Sequence, residues 1–274
     1  MTTFFVRPDH HYDSYTDYWR LVELAGYEAC TVGDMDATNA EHTYILTMQN
    51  LDAWQDAGLG WPDATARIIY WDLEWRDKGY QGVVPGLHEF WTSDRHYAKL
   101  REYTFVPLGS HSRLVNVNPA RRWTGNALWD VCTLAYMGPP RRQSVVNEIE
   151  GRQIIVAPNS AWGDEREMQL ELSRLMLHVH QFDEYLCVPA QRFAMAAAAA
   201  LPLVSEVCAD PYPLEPGVDF IAAPTADLPA IVENTLQSEG KTRQMVAILY
   251  DKMCNQYRFD RNVEKALSAE AVTA

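Results

Sequence analysis

Short apolar runs rich in β-branched and aromatic residues alternate with helix-like stretches along almost the whole chain, and this alternation limits the fold more than any other feature. Phe4-Phe5-Val6 leads into the turn Arg7-Pro8-Asp9. Tyr15 to Ala25 then sets Tyr15, Tyr18, Trp19, Val22 and Leu24-Ala25 near helical spacing, with Gly26 as the C-cap. Tyr44 to Thr47, Arg67 to Trp71 and Glu89 to Ser93 read as further strands, the last followed by a helix over Asp94 to Glu102, and Phe105 to Gly109 ends the series. Strands separated by helices predict a parallel sheet covered on both faces, because a parallel pair needs a crossover and the crossover is usually a helix.

A second series of the same kind follows the polar stretch 113–126. Strands are expected at Asp130 to Tyr136, Gln153 to Val156, Leu175 to His180 and Leu203 to Glu206. Helices are expected at Gln143 to Glu150, Glu165 to Arg174, Gln191 to Ala200, Asp227 to Gln237 and Arg243 to Gln256. The expected organisation is α/β with two Rossmann-like domains facing a central cleft: residues 1–120, residues 121–256, and a terminal segment 257–274 that returns to the first domain. Ligands of such sheets bind at the carboxyl ends of the strands. No repeat of 20–50 residues points to a solenoid.

Composition narrows the function classes. The formal charge is −14, with 18 acids against 11 bases in residues 1–130 and 19 against 12 in residues 131–274. Each half therefore carries −7, and neither is a basic module able to displace counterions from nucleic acid. The five cysteines, Cys30, Cys132, Cys187, Cys208 and Cys254, are odd in number and lie far apart, which suits buried thiols rather than a disulfide framework or zinc knuckle. No apolar run approaches the roughly 18 residues that span a bilayer, and the start carries no basic leader, so a cytoplasmic location is expected. No metal motif is present, and the absence of Gly-x-Gly-x-x-Gly after the first strand counts against a dinucleotide cofactor and against an epimerase or reductase.

Residues 130 to 265 carry an ordered set of weaker motifs. Gly138-Pro-Pro-Arg141-Arg142 follows a strand, and Ser173 to His180 ends in His178-Val-His180. Pro189-Ala-Gln-Arg192-Phe193 opens a small-residue helix, followed by Leu201-Pro202-Leu-Val-Ser205-Glu206, Pro216-Gly217-Val-Asp219 and Ala226-Asp227-Leu228-Pro229. In this order the half-chain resembles the C-terminal domain of GT-B glycosyltransferases, in particular those similar to spore-maturation glycosyltransferases. The resemblance implies transfer of a hexosyl or pentosyl group from a nucleotide-sugar co-substrate to a hydroxyl of a glycan, lipid, protein or hydroxymethylated base in phage-type DNA. The expected donor site comprises Gly138, Arg141, Arg142, His180, Arg192 and Glu206, with the resemblance supporting Arg192. The resemblance also implies a glutamate three residues after Arg192, where this chain has Met195, whose thioether is a weak acceptor for a hydroxyl. A GT-B-like binding protein without catalysis is the alternative that Met195 raises.

The same residues can be weighed by their chemistry. A leaving diphosphate gathers negative charge and needs fixed cations or helix N-termini. Arg141 and Arg142 lie between a strand and a helix and fit that need, as does a solvated helix start. Arg192 opens an apolar helix and suits either phosphate or a structural ion pair. His178 and His180 share one face of a strand; His180, at its carboxyl end, is the site candidate and His178 reads as core. In the first half, Asp72 at the end of a strand is the candidate base for an acceptor hydroxyl. Its neighbour Glu74 projects to the same side, and His10, His11 and His88 are its rivals. Aromatic residues such as Trp54, Trp71 and Trp75 suit stacking on an acceptor and suit a core equally.

Overall fold

A computed structural model describes residues 1–8, 16–47, 61, 63–73, 86–118, 125–135, 137–158 and 164–269. The first sheet holds β1 (Thr2–Arg7), β2 (Glu28–Thr31), β3 (His42–Thr47), β4 (Arg67–Asp72), β5 (Glu89–Thr92) and β6 (Thr104–Phe105), all parallel, in the order β2-β1-β3-β4-β5-β6. Helix α1 (Thr16–Leu24) joins β1 to β2, and α2 (Arg95–Arg101) joins β5 to β6. The start of α2 follows from its sequence: the Asp94 carboxylate caps it by accepting from the Tyr97 amide at 2.8 Å.

The second sheet holds β7 (Trp129–Cys132), β8 (Ser173–His178), β9 (Leu203–Glu206) and β10 (Ile221–Ala223), again parallel, in the order β10-β9-β8-β7. Its helices are α3 (Pro140–Gly151), α4 (Asp164–Leu172), α5 (Ala190–Ala198), α6 (Leu228–Gln237) and α7 (Glu239–Asp251). The strand expected at Gln153 to Val156 shrinks to a parallel bridge between Val156 and Val131 on the outer edge of β7. Gln153 holds a positive φ of 64° directly behind α3, so the chain is still turning where pairing would have to begin. Counting that bridge as the second strand, the second sheet follows the order 2-1-3-4-5, which the first sheet shares and extends by a sixth strand. In each, the connections switch direction beside the first strand, β1 against β3 and β7 against β8, and that switch opens the ligand crevice of a doubly wound sheet.

Strand alternation sends the two faces of each sheet into different cores. Phe5, Ile45, Ile69, Trp71 and Trp91 face α1, while Val6, Tyr44, Leu46, Ile68 and Tyr70 fill the opposite side. In the second sheet Val131, Leu175, Leu177 and Val204 pack beneath α3 and α6. Cys132, Met176 and Leu203 face the buried alanine helix α5, and through it they join the core of the first sheet. Past α7 the chain makes a π-type turn over Lys252–Gln256 and ends in α8 (Phe259–Ser268). Phe259 stacks on Trp71 with centroids 5.8 Å apart, and Arg67 donates to the Leu267 carbonyl at 3.0 Å, so α8 lies against the first sheet.

Candidate functional site

The carboxyl ends of β8 and β9 and the starts of α3 and α5 converge beside the switch between β7 and β8. β8 stops at His178, two residues earlier than expected, because the His180 amide turns from the ladder to donate to Glu206 at 3.0 Å. His180 thus belongs to the loop above the sheet, yet both imidazoles stay buried at 2% and 3% exposure.

Two hydrogen-bond networks meet there. In the first, Arg141 in the first turn of α3 donates to Glu206 through both terminal nitrogens, to Asp183 through Nε at 2.6 Å, to the His180 carbonyl at 3.3 Å and to Thr225 at 2.6 Å. Glu206 also accepts from Thr225 at 2.5 Å. Burial alone would raise its pKa, but the hydrogen bonds from Arg141, Thr225 and the His180 amide bring it below the ordinary glutamate value. Arg141 and Glu206, both expected to reach for a donor, here saturate each other and form a charged wall.

The second network runs through Arg192, in the first turn of α5. Pro189 precedes that helix and offers no side-chain cap. Arg192 donates through Nη1 to His178 Nδ1 at 3.1 Å, and among the described residues no carboxylate pairs with it. His178 is pushed well below the usual histidine range, first by burial and then by Arg192, His180, Arg142 and Arg141. Burial also lowers His180. Burial favours the neutral form of both rings, so they add no charge beside Arg192. Among the described residues Arg192 meets no carboxylate, and its guanidinium has further donors that can bind a phosphate group.

Arg166, in the first turn of α4, is buried against Asp17 of α1, and its Nη1 stands 3.9 Å from the Met195 sulfur. Beside it Arg20 of α1 pairs with Glu167 at 2.6 Å. The first turns of two helices that begin at opposed carboxyl edges are thereby clamped together across the cleft. Spacing offered no sign of this clamp, since its partners lie 149 and 147 residues apart. Asp183 and Thr225 escaped the sequence reading for the same reason.

The remaining expected residues fall elsewhere. Arg142 is buried, with Nε on the Val179 carbonyl at 2.9 Å, and braces α3 against the loop after β8. Gly138 accepts from Gln143 at 3.4 Å in the turn before α3. Asp72 ends β4 on the other sheet, where its buried carboxylate helps raise the pKa of Tyr103 behind burial and Tyr97. His88 lies before β5, bonded to the Ile68 amide at the amino edge, which removes it from the carboxyl-edge cleft. His10, His11, Trp54, Glu74 and Trp75 lie outside the described residues. Among the described residues no group of three or more His, Cys, Asp or Glu side chains is placed to hold a metal ion, and no helix is long and apolar enough to cross a membrane.

No family model matches the sequence, and no curated protein does. Solved structures do match its shape along nearly its full length. Anabaena Alr3699/HepE, solved in complex with UDP and glucose, superposes with a TM-score of 0.66 at 11% identity, over 98% of this chain and 100% of the other. WaaG, a glycosyltransferase involved in lipopolysaccharide biosynthesis, gives 0.57 at 12% over the same shares. A DNA-modifying β-glucosyltransferase, solved with and without uridine diphosphoglucose, gives 0.54 at 11%, again over 98% and 100%. Two doubly wound sheets that share the order 2-1-3-4-5, opposed across a cleft and matched in this way from end to end, make this a GT-B fold.

Proposed function

We propose that the protein is a glycosyltransferase that takes its sugar from a nucleoside-diphosphate donor held at the carboxyl edge of the second sheet. The observation that carries the reading is Arg192: a guanidinium at a helix start, paired with no carboxylate of the described residues and set beside neutral histidines. Charge building on a leaving diphosphate is stabilised by such a fixed cation. The similar structures that hold UDP, or UDP with glucose, make a uridine nucleotide the first donor to try. Arg141 and Glu206, already paired, form the wall of the donor site rather than its phosphate clamp. The acceptor hydroxyl approaches from the first sheet, with Asp72 as its base. A net charge of −14 favours an acceptor other than DNA.

Met195 supports a second reading, donor binding without transfer, because a thioether stands where the resemblance implies a carboxylate. Thermal shift with UDP and UDP-glucose, followed by assay of UDP release, separates the two. The expected outcome is a rise in Tm with UDP and an affinity about tenfold weaker or worse in Arg192→Ala, the scale of one charge-assisted hydrogen bond. Stabilisation without UDP release moves the assignment to the binding protein. No stabilisation by any nucleoside diphosphate overturns the donor site.

A further inference from the structure

Arginine has only donor hydrogens, so the direction of the hydrogen bonds behind Arg192 can be worked out atom by atom. Arg192 Nη1 faces His178 Nδ1 at 3.1 Å, so that ring nitrogen must accept and carry no proton. A neutral imidazole then holds its proton on Nε2, which lies 3.3 Å from His180 Nδ1. His180 Nδ1 is therefore also an acceptor, and its proton sits on Nε2, which donates to the Val207 carbonyl at 3.2 Å. Cys208 completes the end of the chain: its thiol points to the Glu206 carbonyl at 3.7 Å, leaving the sulfur to receive weakly from His180 Nε2 at 3.9 Å. Each proton in this line has one consistent position, and the line ends on backbone.

We infer that His178 and His180 form a tautomer-locked relay that positions Arg192 for a diphosphate. The inference rests on the donor site proposed above and assigns the histidines a task within it. Arginine swings about several rotatable bonds, and a free guanidinium would lose rotamer entropy on meeting its ligand. Spending one Nη1 hydrogen on a buried ring sets the plane of the fork in advance and leaves its other donors for phosphate oxygens. A histidine serves where an acid would not: an aspartate there would neutralise Arg192, whereas a neutral imidazole orients it and preserves its charge. Burial first, and then Arg192, His180, Arg142 and Arg141, disfavour protonation of His178. A lysine in place of Arg192 has no fork for the relay to orient.

Two measurements on the full-length protein test this. Long-range 1H–15N correlation spectra of histidine-labelled protein should show both rings protonated on Nε2 alone. Isothermal titration with UDP should show His178→Leu about tenfold weaker, with His178→Gln close to wild type, since its amide can accept from Arg192 and donate to His180. In an Arg192→Ala background the His178→Leu loss should shrink to about twofold or less, because residues acting through one another are not additive. A full, additive loss in that background, or an Nδ1-protonated His178, overturns the relay while the donor site stands. Wild-type protein that binds no nucleoside diphosphate overturns the donor site and the relay's purpose with it, whatever the tautomers show.

Discussion

Gly109 lies where the end of the first series meets the turn before α8. Its φ is +68°, and a β-carbon there would collide with the Tyr257 carbonyl oxygen and crowd the Asn262 amide. That amide is already committed, donating to the Pro107 carbonyl at 2.8 Å and the Tyr257 carbonyl at 2.9 Å. Gly109→Ala is therefore expected to cost about 3 kcal/mol, from left-handed strain together with displaced backbone. Urea unfolding checks it, and a loss within experimental error would show that the crossing can yield. Single residues also show how far the site was legible. Arg192 and His180 stood out because charge and imidazole interrupt apolar runs. That Arg141 spends its charge on Glu206 while Arg192 meets no carboxylate of the described residues was not legible, because the acid that pairs with Arg141 lies 65 residues away.

At the scale of elements, α2 is tied to the segment after β9 through Asp210. Arg95 meets that carboxylate with Nε at 2.7 Å and Nη2 at 2.8 Å, and its guanidinium lies 3.9 Å from the Tyr212 ring centroid. The Arg95 hydrogen bonds lower the Asp210 pKa from 3.8 to about 2. The folded-state value lies below the unfolded one, so the stability it contributes is complete above about pH 4 and is lost as pH falls through about 2. Asp210→Asn should lower Tm near neutral pH and flatten its fall between about pH 4 and 2. Equal acid slopes in the two proteins would refute the coupling. The start of α2 was legible because its capping chemistry is local, at Asp94. The short strands β2 and β10 were missed: each is a sheet edge of four residues or fewer, too short for alternation to register.

For the whole molecule, one hydrophobic core crosses from the first sheet through α1, α5 and α8 into the second. Phe259 is the junction, with its ring against Trp71, Tyr18 and Phe5 at centroid distances of 5.8, 6.2 and 6.0 Å. Phe259→Ala should remove about 3–5 kcal/mol, since the cavity opens among large aromatic rings that cannot collapse into it. Chemical denaturation followed by tryptophan fluorescence reads the loss. A change below about 1 kcal/mol would mean that α8 is not part of the cooperative unit.

The sequence by itself determined that there are two series of strands and helices, which faces are apolar, and that Arg192 opens a small-residue helix. Those properties follow from the periods of strand and helix and from the stereochemistry of a few turn residues, all of which act within one segment. Only the tertiary structure decided which charges cancel, that β8 ends at His178, and that Asp17 clamps Arg166 across the cleft. Pairing and burial depend on groups brought together from distant parts of the chain, and the proton positions in the His178–His180 line depend on all of them at once.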